Sequence, residues 1–470
     1  MLRREYHREK EGAFMKKLLK GGTIINANGR MDADLLINGE TIEAIGKDLP
    51  VEGAEIIDVT GKLLFPGFID AHTHFDLDVC NTTTADDFYT GSRSALRGGT
   101  TMVIDFACPN KGESLQYGLD LWHKKAEGKT ACDYGFHMTI DDWNEDIIEE
   151  LPKMFEQGVS SFKMYMTYPA MMIGDDAMFR ALQKMKELGG IAGVHCENAG
   201  VIDALIAQAK ERGELTPDAH PRCRPAVLEA EAVSRLLKMA ELAEVPVVIV
   251  HLSSEAGLLE VRAARARGQK VYVETCPHYL LLQDDLYSLP DFEGAKYVCA
   301  PPLRKDTDND VLWEALAKGD IQTVSTDHCS FTWSQKQAGL EDFTKIPGGM
   351  PGVETRGVLL YTYGVVTERI TAERMAEVLS EAPAKLYGAY PRKGRLAVGA
   401  DADIVVYDPN GIRRISAKDQ VCAVDYAPYE GYELSGHIEQ VWLRGNLAVE
   451  NGKILSDRGG KYILRGKSEL

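Results

Sequence analysis

From residue 66 onward, short apolar segments alternate with stretches in which apolar residues recur at helical spacing. The apolar runs predict buried strands, and the stretches between them predict amphipathic helices. One helix is predicted over residues 176–188, with Asp175 as a candidate N-cap and Gly189 as a stop, and another over residues 229–244. The eight predicted strands are GFIDAHTHF (67–75), TMVIDFA (101–107), YGFHMTI (134–140), SSFKMYM (160–166), GIAGVHCE (190–197), VPVVIVHLS (245–253), QKVYVETCP (269–277) and IQTVSTDHC (321–329).

Strands that alternate with helices are typical of a parallel sheet, and eight such units are the number found in a TIM (β/α)8 barrel. The alternative is an open, doubly wound sheet. A dinucleotide-binding sheet of that kind carries a GxGxxG turn after its first strand, and no such turn follows residues 67–75. We therefore predict an α/β protein built on a TIM barrel.

Both ends of the chain have a different pattern, with short strands and tight turns. The dipeptides Asn28-Gly29, Asn38-Gly39 and Thr60-Gly61 mark turns near the beginning. Residues 394–408 and 438–455 return to the same pattern. We therefore predict that the two ends pair into a small β-sandwich domain beside the barrel.

The predicted domain boundaries follow from these changes of pattern. Residues 1–65 form the first part of the β-sandwich, residues 66–392 the barrel, and residues 393–470 the second part of the sandwich with an oligomerisation tail. The first 14 residues are charged and have no apolar core, so they do not read as a signal peptide. Met15 is an alternative start, because a strand pattern begins directly after it.

The composition excludes several classes of partner. Lys and Arg number 53 against 71 Asp and Glu, which gives a net charge of −18. Such an acidic surface repels nucleic acids and anionic membranes, and no apolar run is long enough to span a membrane. The nine cysteines form no CxxC pair, which favours free thiols in a reducing cytoplasm.

Six polar side chains lie on the predicted strands of the barrel. His72 and His74 share one face of the first strand, because side chains two residues apart in a strand point the same way. The other four are Lys163, His195, His251 and Asp327. Each alone is compatible with an ordinary structural role, such as a hydrogen-bonded core histidine or a lysine that reaches solvent. All except Lys163 end their strands, at the face where barrel active sites are built, and Lys163 is long enough to reach it.

This set of residues predicts a metal centre. Imidazole and carboxylate suit zinc, with manganese as the alternative, better than calcium or magnesium. Six ligands exceed the needs of one tetrahedral ion, so two divalent ions per chain are expected. An ammonium group cannot bind a cation, so Lys163 fits only if its charge is reversed.

The chain closely resembles the dihydropyrimidinase and D-hydantoinase (phenylhydantoinase) family of the amidohydrolase superfamily. The resemblance runs from about Lys17 to near the C-terminus. It rests on the motifs PGFIDAHTHFD, SSFKMYMTY, GVHCEN, VIVHLSS, YVETCPHYLLL, YVCAPPLR, VSTDHCSF and PGGMPGVETR, which are ordered and spaced as in the family.

The resemblance implies a carbamylated Lys163 (N6-carboxylysine) that bridges two metal ions. It places His72, His74 and Asp327 on one ion and His195 and His251 on the other. Asp327 is implied as the proton shuttle. Tyr168, five residues after the lysine, is implied as a catalytic and substrate-binding residue.

Two positions depart from the family pattern. Ala300 replaces a usual Ser, and Gly348 replaces a usual Asn. The family residues bind the substrate mainly through backbone groups, so Ala300 and Gly348 keep that expected role. Apolar residues after strands 1 and 4, such as Leu77, Val79 and Met172, are candidates both for substrate contact and for simple packing.

The implied activity is hydrolysis of a C–N bond in a small cyclic amide, which opens hydantoins or 5,6-dihydropyrimidines to N-carbamoyl amino acids with D-selectivity. One alternative is an allantoinase-like ureide hydrolase, which generally lacks the tyrosine found here at Tyr168. The other is a non-catalytic assembly protein, whose relatives lose metal ligands that this chain retains.

A homotetramer is also implied by the resemblance. The candidate interface residues are Tyr426, Tyr429, Tyr432 and Trp442, with packing inside the β domain as the alternative.

Overall fold

A computed structural model describes residues 16–470 of the chain. The choice between Met1 and Met15 as the start lies outside the described residues. The strands are β1 (Lys16–Asn26), β2 (Gly29–Asn38), β3 (Thr41–Gly46), β4 (Ala54–Asp58), β5 (Leu63–Pro66), β6 (Phe68–Thr73), β7 (Asp78–Val79), β8 (Thr82–Thr83), β9 (Thr100–Ala107), β10 (Asp133–Thr139), β11 (Ser161–Tyr165), β12 (Ile191–His195), β13 (Val247–Ile249), β14 (Val271–Thr275), β15 (Thr323–Val324), β16 (Ile404–Arg414), β17 (Glu433–Leu443), β18 (Asn446–Glu450) and β19 (Lys453–Ile454).

The helices lie mainly between the barrel strands. They are α1 (Phe88–Arg97), α2 (Leu115–Ala126), α3 (Glu145–Glu156), α4 (Asp175–Leu188), α5 (Ala199–Glu211), α6 (Ala219–Cys223), α7 (Ala226–Ala243), α8 (Glu255–Ala266), α9 (Pro277–Leu281), α10 (Asp306–Lys318), α11 (Trp333–Lys336), α12 (Arg356–Leu360), α13 (Ala372–Ala376) and α14 (Ala382–Leu386). The two helices named from the sequence are confirmed as α4 and α7. Asp175 is the first residue of α4 and not its N-cap, a position that Gly174 takes.

Eight parallel strands form the barrel, in the order β15-β14-β13-β12-β11-β10-β9-β6. Each falls within or overlaps one predicted segment, so the TIM barrel is confirmed. A parallel bridge between Thr73 and His328 brings the two outer strands together. The N–H of His74 donates to the carbonyl of His328 over 2.8 Å, at the same end of the barrel. This closure places the residues that follow β6 and β15 side by side.

The second sheet combines both ends of the chain, as predicted. Its order is β19-β18-β17-β16-β5-β1-β2-β3, with β4 paired to β1. The seam is antiparallel pairing of β5 with β16, in which Pro66 lies opposite Ile404. Apolar residues from both ends share one core, including Leu19, Ile37 and Trp442.

A buried ion cluster joins this sheet to the barrel. The Lys393 ammonium lies 2.5 Å from Asp133 at the start of β10, and within 2.9 Å of both Asp401 and Asp403. Arg444 makes a second ion pair with Asp133. Because Lys393 occupies the centre of these carboxylates, the cluster is a structural junction and not a cation site.

The aromatic residues predicted as an interface are largely enclosed by the chain itself. Tyr426, Tyr429 and Trp442 are buried, and Tyr432 packs against Tyr363 and Tyr429. The burial of Tyr426, Tyr429 and Trp442 favours the alternative of packing within the chain, and an interface role stays a prediction. In the described part of the chain, no helix has both the length and the apolar character needed to cross a membrane.

Candidate metal centre

His72 lies near the end of β6, and a carboxylate holds one side of its ring. Its Nδ1 lies 2.6 Å from Oε1 of Glu274, which leaves Nε2 as the free ligand atom. Nε2 is 3.3 Å from Oδ1 of Asp327 and 3.5 Å from Nζ of Lys163. Since a carboxylate on one ring nitrogen fixes the tautomer and orientation of a metal-binding histidine, Glu274 supports this role for His72.

His74 and Asp327 complete a three-residue group with His72. The Nε2 atom of His74 lies 3.0 Å from Oδ1 of Asp327. The potential ligand atoms of all three residues lie within 4.8 Å of one another. The neighbouring imidazoles keep the pKa of Asp327 well below its usual range although the carboxyl is buried, so it is an anion. Two imidazoles and one carboxylate at this separation can hold one divalent ion.

His195 and His251 form a second group on the neighbouring strands. Their ring centroids are 4.5 Å apart, and the His251 ring lies 5.4 Å from that of His72. Nε2 of His195 lies 2.7 Å from Oε2 of Glu197, so Nδ1 is its free ligand atom. Burial lowers the pKa of both histidines, which favours the neutral imidazole that binds metals.

Lys163 on β11 lies between the two groups and is 1% exposed. Its Nζ is next to His72 and sits over the Phe106 and Tyr165 rings at 5.2 and 5.0 Å. Among residues 16–470, no carboxylate oxygen lies within 4 Å of it. Burial lowers the pKa of Lys163 to about 8. A neutral amine is the form that reacts with carbon dioxide, so its surroundings suit carbamylation.

Unpaired polar atoms test whether these residues fit a metal. Nδ1 of His74 and Nδ1 of His251 are buried and have no hydrogen-bond partner in the described chain. Burying a polar atom without a partner is costly, and an unprotonated imidazole nitrogen has a lone pair that a metal ion can accept. The donor set and its burial therefore fit divalent ions.

Three predicted site residues have an unusual backbone. Tyr168, His251 and Asp327 have φ values of 67°, 40° and 50°, in the left-handed region. Residues other than glycine adopt this region at a cost of about 1–3 kcal/mol. The strain marks the points where the chain turns away from the barrel strands and directs these side chains to the centre.

Tyr168 borders the His195 side of the centre. The two rings lie 5.2 Å apart, and the guanidinium of Arg224 lies 5.6 Å from the Tyr168 ring. Burial raises the pKa of the Tyr168 hydroxyl, so it remains a hydrogen-bond donor. The Tyr168 carbonyl accepts from the N–H groups of Met171 and Met172, both over 2.8 Å, which ties these apolar residues to the same loop.

Ala300 and Gly348 offer free backbone groups. Both are partly exposed. Within the described residues, their N–H and C=O groups make no hydrogen bond to the protein. A Cβ atom at Gly348 would meet open space. These groups are available to a small molecule, and nothing in the backbone prevents a side chain at Gly348.

The carboxylates behind the histidines were missed in the sequence. Glu274 is fully buried in β14, where burial raises its pKa to about 7. Glu197 is also buried, yet Arg224 and His195 bring its pKa down to about 2. A lone acid within an apolar strand, as in VYVET, was the available signal for Glu274. For Glu197 the signal was its position two residues after His195.

Comparison with known proteins identifies the family. The sequence profile of the amidohydrolase family matches residues 63–448. The chain belongs to the amidohydrolase family. This amidohydrolase is 45% identical to a D-hydantoinase of Geobacillus stearothermophilus, over 96% of this chain and 97% of the relative. It is 41% identical to a D-phenylhydantoinase of Escherichia coli strain SE11, over 96% and 98% of the two chains.

A solved structure agrees with the fold of this amidohydrolase. The crystal structure of a dihydropyrimidinase from Brevibacillus agri NCHU1002 has a TM-score of 0.96 at 43% identity. The match covers 97% of this chain and 99% of that one. The resemblance inferred from the motifs is thus confirmed over nearly the whole length. Metal binding is typical of amidohydrolases, in agreement with the group formed by His72, His74 and Asp327.

Proposed function

We propose that this protein hydrolyses cyclic amides and opens hydantoins or 5,6-dihydropyrimidines to N-carbamoyl amino acids, with a preference for the D-enantiomer. The observation that carries the proposal is the convergence of four histidines, Asp327 and Lys163 at the C-terminal end of one barrel. Relatives named D-hydantoinase and D-phenylhydantoinase support the substrate class and the stereochemistry.

The proposed cofactors are two divalent ions, with zinc favoured over manganese. His72, His74 and Asp327 hold one ion, and His195 and His251 hold the other. The Lys163 amine would add to carbon dioxide and lose a proton, and the resulting carbamate anion could serve as a ligand for both ions. The chemistry that such ions supply is polarisation of a ring carbonyl and acidification of a water molecule.

Asp327 is the proposed proton shuttle. Its carboxylate is anionic and lies 3.0 Å from Nε2 of His74, which holds it at the centre. It accepts the proton of the attacking water and delivers it to the ring nitrogen that leaves. The Tyr168 hydroxyl donates to the oxyanion that develops on the attacked carbonyl.

The free backbone groups of Ala300 and Gly348 are the proposed contacts for the ureide edge of the ring. Since the family residues at these positions bind mainly through their backbone groups, the departures preserve the contact. Gly348 has no side chain where the family usually has Asn, although a Cβ atom there would meet open space. We therefore expect a change in substrate preference and not a loss of activity.

Three further expectations remain proposals. They are the domain boundaries at residues 65/66 and 392/393, a reducing cytoplasmic location with the nine cysteines as free thiols, and assembly as a homotetramer. Light scattering at micromolar concentration tests the last of these, and a monomer would contradict it.

A turnover panel tests the proposed function. Purified protein loaded with zinc, and separately with manganese, is assayed on dihydrouracil, hydantoin, D- and L-5-phenylhydantoin and allantoin. We expect ring opening of dihydrouracil, hydantoin and 5-phenylhydantoin, with faster turnover of the D- than of the L-enantiomer. No turnover is expected after the metal is removed. Turnover of allantoin alone would favour the ureide hydrolase. Protein that takes up no metal and opens none of these rings would favour the assembly protein.

A further inference from the structure

Lys336 at the end of α11 is a buried lysine close to the proposed substrate contacts. It is 0% exposed. Its Nζ donates to the carbonyls of Val298, Pro347 and Gly349, over 2.9, 2.8 and 2.7 Å. An ammonium group has three N–H donors, so the three carbonyls use all of them.

Within residues 16–470, no acid balances this charge. In the described part of the chain, no carboxylate oxygen lies within 4 Å of the Lys336 Nζ, which lies 5.7 Å from the centre of the Phe331 ring. Burial accordingly lowers the pKa of Lys336 to about 8. A buried ammonium without a counter-ion is costly, and the three hydrogen bonds to carbonyls offset part of that cost.

The three carbonyls belong to the two segments that contain Ala300 and Gly348. Val298 lies two residues before Ala300, and Pro347 and Gly349 flank Gly348. The segments also touch directly, since the N–H of Gly349 donates to the carbonyl of Val298 over 2.9 Å. Lys336 thus donates to residues close to Ala300 and Gly348. Within the described chain, the backbone groups of Ala300 and Gly348 themselves make no hydrogen bond to the protein.

We propose that Lys336 is a positioning residue that fixes the distance between the Ala300 and Gly348 segments, and so sets the width of the slot that holds the ureide edge of the ring. This inference rests on the proposed function. Gly349 contributes to the same geometry, because it has a φ of 153° and an added Cβ would lie 2.3 Å from the carbonyl oxygen of Cys329. The Gly349 backbone therefore packs directly against Cys329, on a side where no side chain would fit.

Kinetics of three variants test the proposal. Lys336→Met removes every donor, Lys336→Gln keeps two, and Lys345→Met is the control, an exposed lysine near the same segment with no side-chain hydrogen bond. Since misplacement of a substrate by about 1 Å can cost roughly 100-fold, we expect kcat/KM on dihydrouracil and hydantoin to fall roughly 10- to 100-fold in Lys336→Met. Most of the loss should appear in KM, with Lys336→Gln intermediate and the metal content unchanged.

A purely structural role gives a different result. It lowers the melting temperature and the amount of folded protein, but folded enzyme keeps the wild-type KM. An unchanged KM in both Lys336 variants, measured well below their melting temperatures, would overturn the proposal. Because Lys336→Met leaves three carbonyls unpaired and can fail to fold, Lys336→Gln provides the second measurement.

Hydrogen exchange separates this proposal from the proposed function. The Gly349 amide is bonded across the two segments, so peptides that contain it should exchange faster in Lys336→Gln than in wild type or Lys345→Met. If wild-type protein opens no cyclic amide, the proposed function fails, and exchange still decides whether Lys336 holds the segments together. If the Gly349 amide exchanges at the same rate in Lys336→Gln and in wild type, Lys336 does not hold the two segments together, even if the enzyme is active.

Discussion

The carboxylate of Glu274 lies 2.6 Å from Nδ1 of His72, and both side chains are almost completely buried. Glu274 on β14 therefore sets which nitrogen of His72 faces Asp327 and Lys163. Loss of such a partner typically costs roughly 10- to 100-fold in metal affinity, so we expect this for Glu274→Gln. Competition with a chelator measures it, with the exposed Glu149→Gln as the control. Equal affinity in both variants would show that His72 does not depend on Glu274.

We expect Lys163→Ala to abolish ring opening, because the variant has no amine to carry the bridging carbamate. A short-chain carboxylic acid should restore part of the activity by occupying the same place. Lys238→Ala, on the exposed face of α7, is the control and should keep full activity. Intact-mass measurement should find the mass of one added carbon dioxide in the active protein. An unmodified lysine in active, metal-loaded enzyme would rule out the carbamate.

We expect Asp327→Asn to lower kcat by roughly 10²–10⁴-fold, because the amide cannot accept the proton of the attacking water. Metal content must be measured in parallel, since Asp327 also belongs to the group with His72 and His74. The control is Asp310→Asn, an exposed carboxylate on α10. Near-normal turnover with full metal occupancy would assign the proton transfer to another group.

We expect Tyr168→Phe to slow both enantiomers of 5-phenylhydantoin by roughly 10²–10³-fold in kcat, the usual effect of removing one oxyanion donor. The metals should stay bound, because Tyr168 is not one of the proposed ligands and its ring lies 5.2 Å from that of His195. The exposed Tyr117→Phe is the matched control. A variant that loses metal, or that keeps its wild-type rate, would contradict the role of the hydroxyl.

The sequence predicted the barrel because the core of each strand is locally apolar, but the predicted strands were too long. Residues 245–253 and 321–329 were predicted as strands, whereas β13 and β15 cover only Val247–Ile249 and Thr323–Val324. His251 and Asp327 lie beyond these ends with positive φ values. The strands stop where the backbone must turn to present a site residue, and hydrophobic patterning contains no information on that turn.

Spacing within one strand and motif resemblance predicted the candidate ligands, which the fold brings together, but not the residues that orient them. Glu274 is 202 positions from His72 along the chain, and only the closed barrel brings them together. Lys336 follows Gln335 in a short polar helix, which favours an exposed position. Its burial depends on the carbonyls of Val298, Pro347 and Gly349, which local sequence does not reveal.

The seam between β5 and β16 has a consequence for synthesis of the protein on the ribosome. The strand that ends at Pro66 is made early, whereas its partner at Ile404 emerges only after the whole barrel has been translated. At about 5–20 residues per second, that delay is on the order of tens of seconds. During this time one edge of β5 exposes backbone groups that can pair with another nascent chain. Aggregation during expression should therefore depend on the rate of translation more than on the stability of the finished fold.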